Sequence, residues 1–131
     1  MGRKPTALAT WMRGLSIHLT DCGYPAAELF AQAGLDHSLI DQADARYAVE
    51  DTTRLWHRAI DLTGDESIGL KAIRHIQPSH FHFVGLGVLA SRSLEEAFER
   101  LSKLCDLVTD ASQIHCSHQA NGEFLIRIEL R

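Results

Sequence analysis

Two changes of rhythm predict an α+β fold, mainly helical in its N-terminal part and followed by a C-terminal β-hairpin. As far as Val108 the apolar residues recur every three or four positions, the spacing of helices with one buried face. After Asp110 the period falls to two, and the alternating runs are broken by Asn121-Gly122, a strong signal for a type I′ turn. Bulk sets the scale. The chain has 131 residues, 45% hydrophobic and 23% charged, which suits one domain, since two separate cores would be cramped. A net charge of -4 at that apolar content argues against disorder. The longest apolar stretch, Phe83 to Ala90, is far too short to span a bilayer, and no apolar h-region follows Met-Gly-Arg-Lys-Pro.

Each element has a local reason. A first helix is predicted from Pro5 to about Asp21, with Leu8, Trp11, Met12, Leu15 and Leu19 on one face and Gly23 as a left-handed stop. Pro25 opens a short second helix carrying Leu29, Phe30 and Ala33, and Gly34 ends it. Asp36 caps one further turn with Leu39 and Ile40. Asp44 to Val49 reads as an extended polar connector. Asp51 is the expected cap of a stronger helix to about Thr63, with Leu55, Trp56, Ala59, Ile60 and Leu62 inward and Gly64 as its stop. Asp65 caps the next short helix, with Ile68, Ala72 and Ile73 turned inward.

Pro78 breaks the pattern, and Phe81 to Ala90 is ambiguous by periodicity, because Gly85 and Gly87 each lower helix propensity by about 1 kcal/mol relative to alanine. Ser93-Leu94-Glu95-Glu96 is a capping box. It opens the clearest helix, with Ala97, Phe98, Leu101, Leu104, Cys105 and Val108 in one stripe. In the hairpin, Ile114 and Cys116 share a face opposite His115 and Ser117; Phe124, Ile126, Ile128 and Leu130 alternate with Leu125, Arg127 and Glu129. A lone hairpin is marginal, and the sequence stops inside its second strand, at Arg131. The expectation is therefore a fragment of a longer protein, with further strands, or a second copy, completing the sheet across the open edge.

Chemistry is sparse. Lys+Arg 13 against Asp+Glu 17 makes the chain mildly acidic, so it is not expected to grip DNA by itself. Arg3, Lys4 and Arg13 read as a solvated face rather than a phosphate track. Cys22, Cys105 and Cys116 are odd in number and widely spaced, which points to reduced thiols and a cytoplasmic location, with Cys105 a small core residue. No P-loop, dinucleotide-binding, nucleophile-elbow or zincin motif occurs, and no nucleophile–base pair is legible, so no catalytic residues are assigned and the chain is not expected to be an enzyme. Asp106 and Asp110 sit four apart but read as helix-end carboxylates; Trp11 and Trp56 could line a ligand pocket, but on apolar helix faces they read as core packing.

The compositional oddity is eight histidines. His75, His80 and His82 form one group, and His115, Cys116 and His118 another. A metal- or haem-binding sensor built on His75/His80/His82 is the alternative reading. It needs an extended backbone at His80-Phe81-His82, and the usual zinc spacings are absent, so neither a metal site nor a cofactor is assigned. In the second group Cys116 faces away from His115.

Several segments in series resemble the N-terminal regulatory domain of AraC-type transcriptional regulators, in the branch labelled arabinose-binding-type. They begin with Cys22-Gly23-Tyr24 through Leu29-Phe30-Ala31-Gln32-Ala33-Gly34-Leu35-Asp36, then the Ala43-Asp44-Ala45-Arg46-Tyr47 connector. Leu55-Trp56, Leu62-Thr63-Gly64-Asp65 and Ile68-Gly69-Leu70 follow. Pro78, Phe81-His82, Gly85, Leu89-Ala90-Ser91 and Ser93-Leu94-Glu95-Glu96-Ala97 complete the series. Ala48 and Gly87 depart from the family's common proline and alanine. The resemblance implies a short helix over Phe81 to Ala90, its glycines allowing close packing. It also implies residues 1–131 as an effector-sensing and dimerisation domain. The implied partners are an intracellular small-molecule effector, a second copy of the chain, and DNA reached only through a C-terminal helix-turn-helix part absent from this sequence. The family label does not specify arabinose as the ligand, and no residue-level ligand motif carries over.

Overall fold

The computed structural model describes residues 2–131 as six α-helices and two antiparallel strand pairs. The first pair is a departure from the sequence reading. Thr6–Leu8 is a strand, β1, rather than the start of a helix; a 3₁₀ turn over Ala9–Met12 leads into α1, Arg13–Asp21. β1 pairs with β2, Arg46–Ala48, in the register Thr6↔Ala48, Ala7↔Tyr47, Leu8↔Arg46. Tertiary demand overrides local propensity here. Tyr47 is 4% exposed, its hydroxyl donates to the Asp36 carbonyl at 2.6 Å, and Arg46 donates to the Thr6 hydroxyl at 2.8 Å. The supposed polar connector is thus a strand with a buried anchor.

Three helices stop as their glycines dictate, the third at Gly64 with φ 66°. Gly23 and Gly34 have φ of 82° and 83°, and the amides two residues past each C-cap reach back into the helix, Tyr24 to Leu19 and Leu35 to Phe30. α2 spans Ala26–Gln32. A 3₁₀ turn follows over His37–Asp41, with the Asp36 carboxylate accepting from the Ser38 amide as expected. α3, Val49–Thr63, begins two residues before Asp51, which lies in its first turn rather than at its cap. α4 is Ile68–Ala72, and Asp65 accepts from the Ser67 amide just before it. Met12, Leu15, Leu19, Phe30, Leu55 and Ile68 fill the core between α1, α2, α3 and α4. Two residues expected inward are not. Leu62 is 47% exposed at the end of α3, beside an open groove against α2. Ile73 is 59% exposed, because the 3₁₀ turn after α4 rotates it off the stripe.

Beyond Pro78 the packing loosens. A 3₁₀ turn, Pro78–Phe81, delivers the chain to α5, His82–Leu89. The helix implied by the resemblance is present but only half buried. Val84 and Gly85 point inward, while Phe83, Leu86 and Leu89 are 63%, 62% and 65% exposed. Gly85 does serve close packing: a Cβ there would lie 1.8 Å from the Pro78 carbonyl oxygen. Gly87 has open space around its α-carbon, and its carbonyl accepts from Arg100 at 2.7 Å.

α6, Leu94–Val108, is capped by the Ser93 hydroxyl, which accepts from the Glu96 amide at 3.1 Å. The reciprocal half differs from the expected box: the Glu96 carboxylate takes the Arg92 amide at 2.7 Å, not that of Ser93. β3, Ser112–His118, pairs with β4, Phe124–Leu130, in the register Ile114↔Ile128 and Cys116↔Ile126. The turn is not type I′, which needs positive φ at both central residues; Gly122 has it, at 86°, and Asn121 does not. Gln119 and Glu123 instead close a three-residue loop, with the Gly122 amide donating to Gln119.

The two halves meet at β1. Asp110 and Thr109 both bond to Thr6: the Asp110 carboxylate accepts the Thr6 amide, and the Thr109 hydroxyl donates to the Thr6 carbonyl at 3.0 Å. Arg46 reaches over to the Leu107 carbonyl at 3.0 Å. The Thr6 amide, then Arg46, holds the Asp110 carboxyl below the usual range.

Candidate functional site

The best-formed recess, about 470 Å³, opens where α5, α6 and the start of β3 converge. Its floor follows from Gly85. Because that residue lacks a Cβ, α5 rests directly on Pro78 and holds Val84 and Val88 toward α6. Leu101, Cys105 and Val108 form the opposite wall from three successive turns of α6. Ile76 and Phe81 line it from the link before α5, and Ile114 from the near face of β3.

No acidic, basic or histidine side chain lines the recess. Its polar side chains are Gln77, Thr109 and Ser112, and two neighbouring groups are already engaged. The Thr109 hydroxyl serves Thr6 and the Ala111 amide, and the Cys105 thiol donates to the Ser112 carbonyl at 3.6 Å. What remains is a mainly hydrocarbon-lined pit able to take up apolar matter. Cys105, expected as a core residue, is buried and doubles as pocket wall.

At the entrance to α5 stands His82, with φ 52°, the described residue other than glycine with positive φ. A bulky side chain there stores strain of the kind found at ligand clamps and switch segments. Its Nε2 is buried with no hydrogen-bond partner. His80 has a packing role. It is 3% exposed, its Nδ1 accepts from the Gln77 amide at 3.3 Å, and its carbonyl accepts from the Thr10 hydroxyl at 2.5 Å. Burial, with Arg13 nearby, pushes its pKa down and keeps the ring neutral. His75 lies instead against His18, ring centroids 5.7 Å apart.

His75, His80 and His82 therefore do not gather around one point. Among the described residues the group spaced to share an ion is Glu95, Glu99 and His118, all exposed, with His118 paired to Glu95 at 2.9 Å. Asp106 and Asp110 also separate, Asp106 pairing with Arg131 at 2.8 Å and Asp110 with Thr6. Lys4 and Arg13 are paired with Glu50 and Asp41. Trp11 and Trp56 pack on the core from its margin, as expected, and both also line a smaller recess of about 150 Å³ beside Leu15 and Ile76.

Sequence reasoning named none of the residues of this recess as pocket lining. The signal that could have found them is the coincidence of Gly85, whose Cβ has no room, with an apolar stretch lacking any charge from Phe83 to Ala90.

The architecture is thus an α+β domain: a helical body, then a helix pair and hairpin around an apolar recess. Comparison with known families gives it a place. Residues 23–131 match the family described as the N-terminal arabinose-binding domain of AraC transcription regulator, and the chain belongs to that family. The match takes in every element that lines the recess. Comparison with curated proteins found no match. Among the described residues no helix is long and apolar enough to cross a membrane.

Proposed function

We propose that residues 1–131 form the effector-sensing and dimerisation domain of a cytoplasmic AraC-type transcriptional regulator. In this reading a small molecule occupies the α5/α6/β3 recess, and DNA is contacted by a C-terminal helix-turn-helix part outside this sequence. The observation that carries the reading is the recess itself, lying wholly inside the segment that matches the regulatory family. An effector can act only through unequal affinity for two arrangements of the domain. The strained entrance at His82 makes α5 the element whose position a ligand would bias, because α5 carries one wall of the pit and little else holds its outer face.

Dimerisation is supported by exposed apolar side chains on the hairpin. Leu125, Ile128 and Leu130 are 50%, 64% and 87% exposed, and β4 pairs on one side only among the described residues. Size-exclusion chromatography with light scattering tests the dimer, and Ile128→Lys should return it to monomer. A thermal-shift screen of small molecules tests the sensing role. A true effector raises the melting temperature in proportion to the logarithm of its concentration once above Kd. A chain that stays monomeric and unresponsive throughout would not be a sensing domain of this kind.

A further inference from the structure

The occupant of the recess can be narrowed by chemistry; this step rests on the sensing role proposed above. We infer that the pit takes an uncharged, mainly hydrocarbon small molecule, and not a free sugar or a zwitterion. Three observations carry this.

The first is the wall. Val84, Val88, Leu101, Val108 and Ile114 offer only carbon, and no charged side chain stands among the lining residues to pair with a carboxylate or an ammonium group. A sugar buried there would leave most of its hydroxyls without partners, and an ion would be stripped of water without compensation. The second is the state of the few polar groups present. The Thr109 hydroxyl and the Cys105 thiol are engaged within the protein, the Ser112 hydroxyl is the one lining hydroxyl without a protein partner among the described residues, and Gln77 is exposed and stands at the rim. The ligand's single polar end belongs at that rim, with its hydrocarbon body directed toward Val84 and Cys105. The third is shape. The lining comes from five converging segments rather than from one continuous stripe, which makes a pit and not a trough for a peptide helix. Its volume of about 470 Å³ falls in the range of small-molecule sites, about 300–1,000 Å³.

The test uses the whole chain with n-hexanol, n-octanol and n-decanol as probes, and L-arabinose as the polar comparison, by isothermal titration calorimetry. Saturable one-site binding of the alcohols is expected, tightening by about fourfold for each added methylene. Val88→Phe, which places a ring in the pit, should abolish it. Ile114→Phe is the second variant, should the first fail to fold as judged by circular dichroism. Binding of L-arabinose that is lost in Val88→Phe would overturn the apolar assignment and leave the sensing role standing. Alcohol affinity that ignores chain length, or that persists in both folded variants, would overturn the assignment as surface adsorption. If neither alcohol nor sugar binds, the recess is not a ligand site, and the sensing role placed there fails with it.

Discussion

The two halves of this chain spend their apolar residues differently. Up to Ala72, large side chains such as Phe30, Leu55 and Ile68 are almost wholly excluded from water and belong to one contiguous cluster. After Ala72 the buried hydrophobic residues are Val84, Ala97 and Cys105, all small or medium in size, and Val84 and Cys105 border a cavity. Phe83, Leu86, Leu89, Leu94, Ile128 and Leu130 meanwhile face solvent. A filled core confers stability; an unfilled one leaves room for something else. The first half is the platform and the second the part that can respond, since low local packing is where proteins open first.

Truncation of Phe30 should break that division if it is wrong. Phe30 is fully buried, with an edge-to-face contact to His37 at 4.8 Å. Phe30→Ala should cost about 3–5 kcal/mol in urea denaturation. Val88→Ala enlarges an existing cavity and should cost about 1 kcal/mol or less. Comparable losses would mean that the two halves are equally well packed.

A glycine pair sharpens the picture of the second half. Gly85→Ala drives a methyl into the Pro78 carbonyl and should destabilise by about 1–3 kcal/mol while distorting the recess. Gly87→Ala meets nothing within 4 Å and should stabilise by up to about 1 kcal/mol through helix propensity. Opposite signs two residues apart are the expected result of thermal denaturation.

The joint between the halves comes next in size. Asp110→Ala frees the Thr6 amide and should cost about 1 kcal/mol, water taking up part of the loss. Faster amide exchange in β1 should accompany it.

The smallest effect is on pH dependence. His80 is held neutral in the folded state, with its pKa below the ordinary 6.5. The unfolded chain therefore binds the proton first. This contribution is complete above pH 6.5 and is lost as pH falls from there toward the folded-state pKa. His80→Asn, compared with the parent chain by urea denaturation across that window, should show a shallower loss on acidification.

Much of the platform was legible in the sequence because its signals are local. Gly23, Gly34 and Gly64 end their helices with positive φ, and Asp36 accepts the amide expected of it, as Ser93 does in the second half. β1 was not legible, because its partner lies forty residues away and Thr6 to Leu8 fit a helical stripe equally well. The faces of the hairpin strands were legible by alternation, while register and turn depended on the backbone conformation at Asn121. The recess was hidden for a related reason. Its wall is assembled from residues between Ile76 and Ile114, and an apolar stripe on α6 reads the same whether it faces side chains or empty space. Nearness in sequence did not become convergence for the histidines: His80 turned inward and His75 toward α1.

Amide hydrogen exchange of the whole chain, with and without n-decanol, weighs platform against responsive half most directly. Amides in α1, α2 and α3 should open only with global unfolding and ignore the alcohol, while those in α5, α6 and β3 should exchange faster and slow down when it binds. Uniform protection along the chain, or slowing that spreads evenly over α1 to α3, would contradict the division.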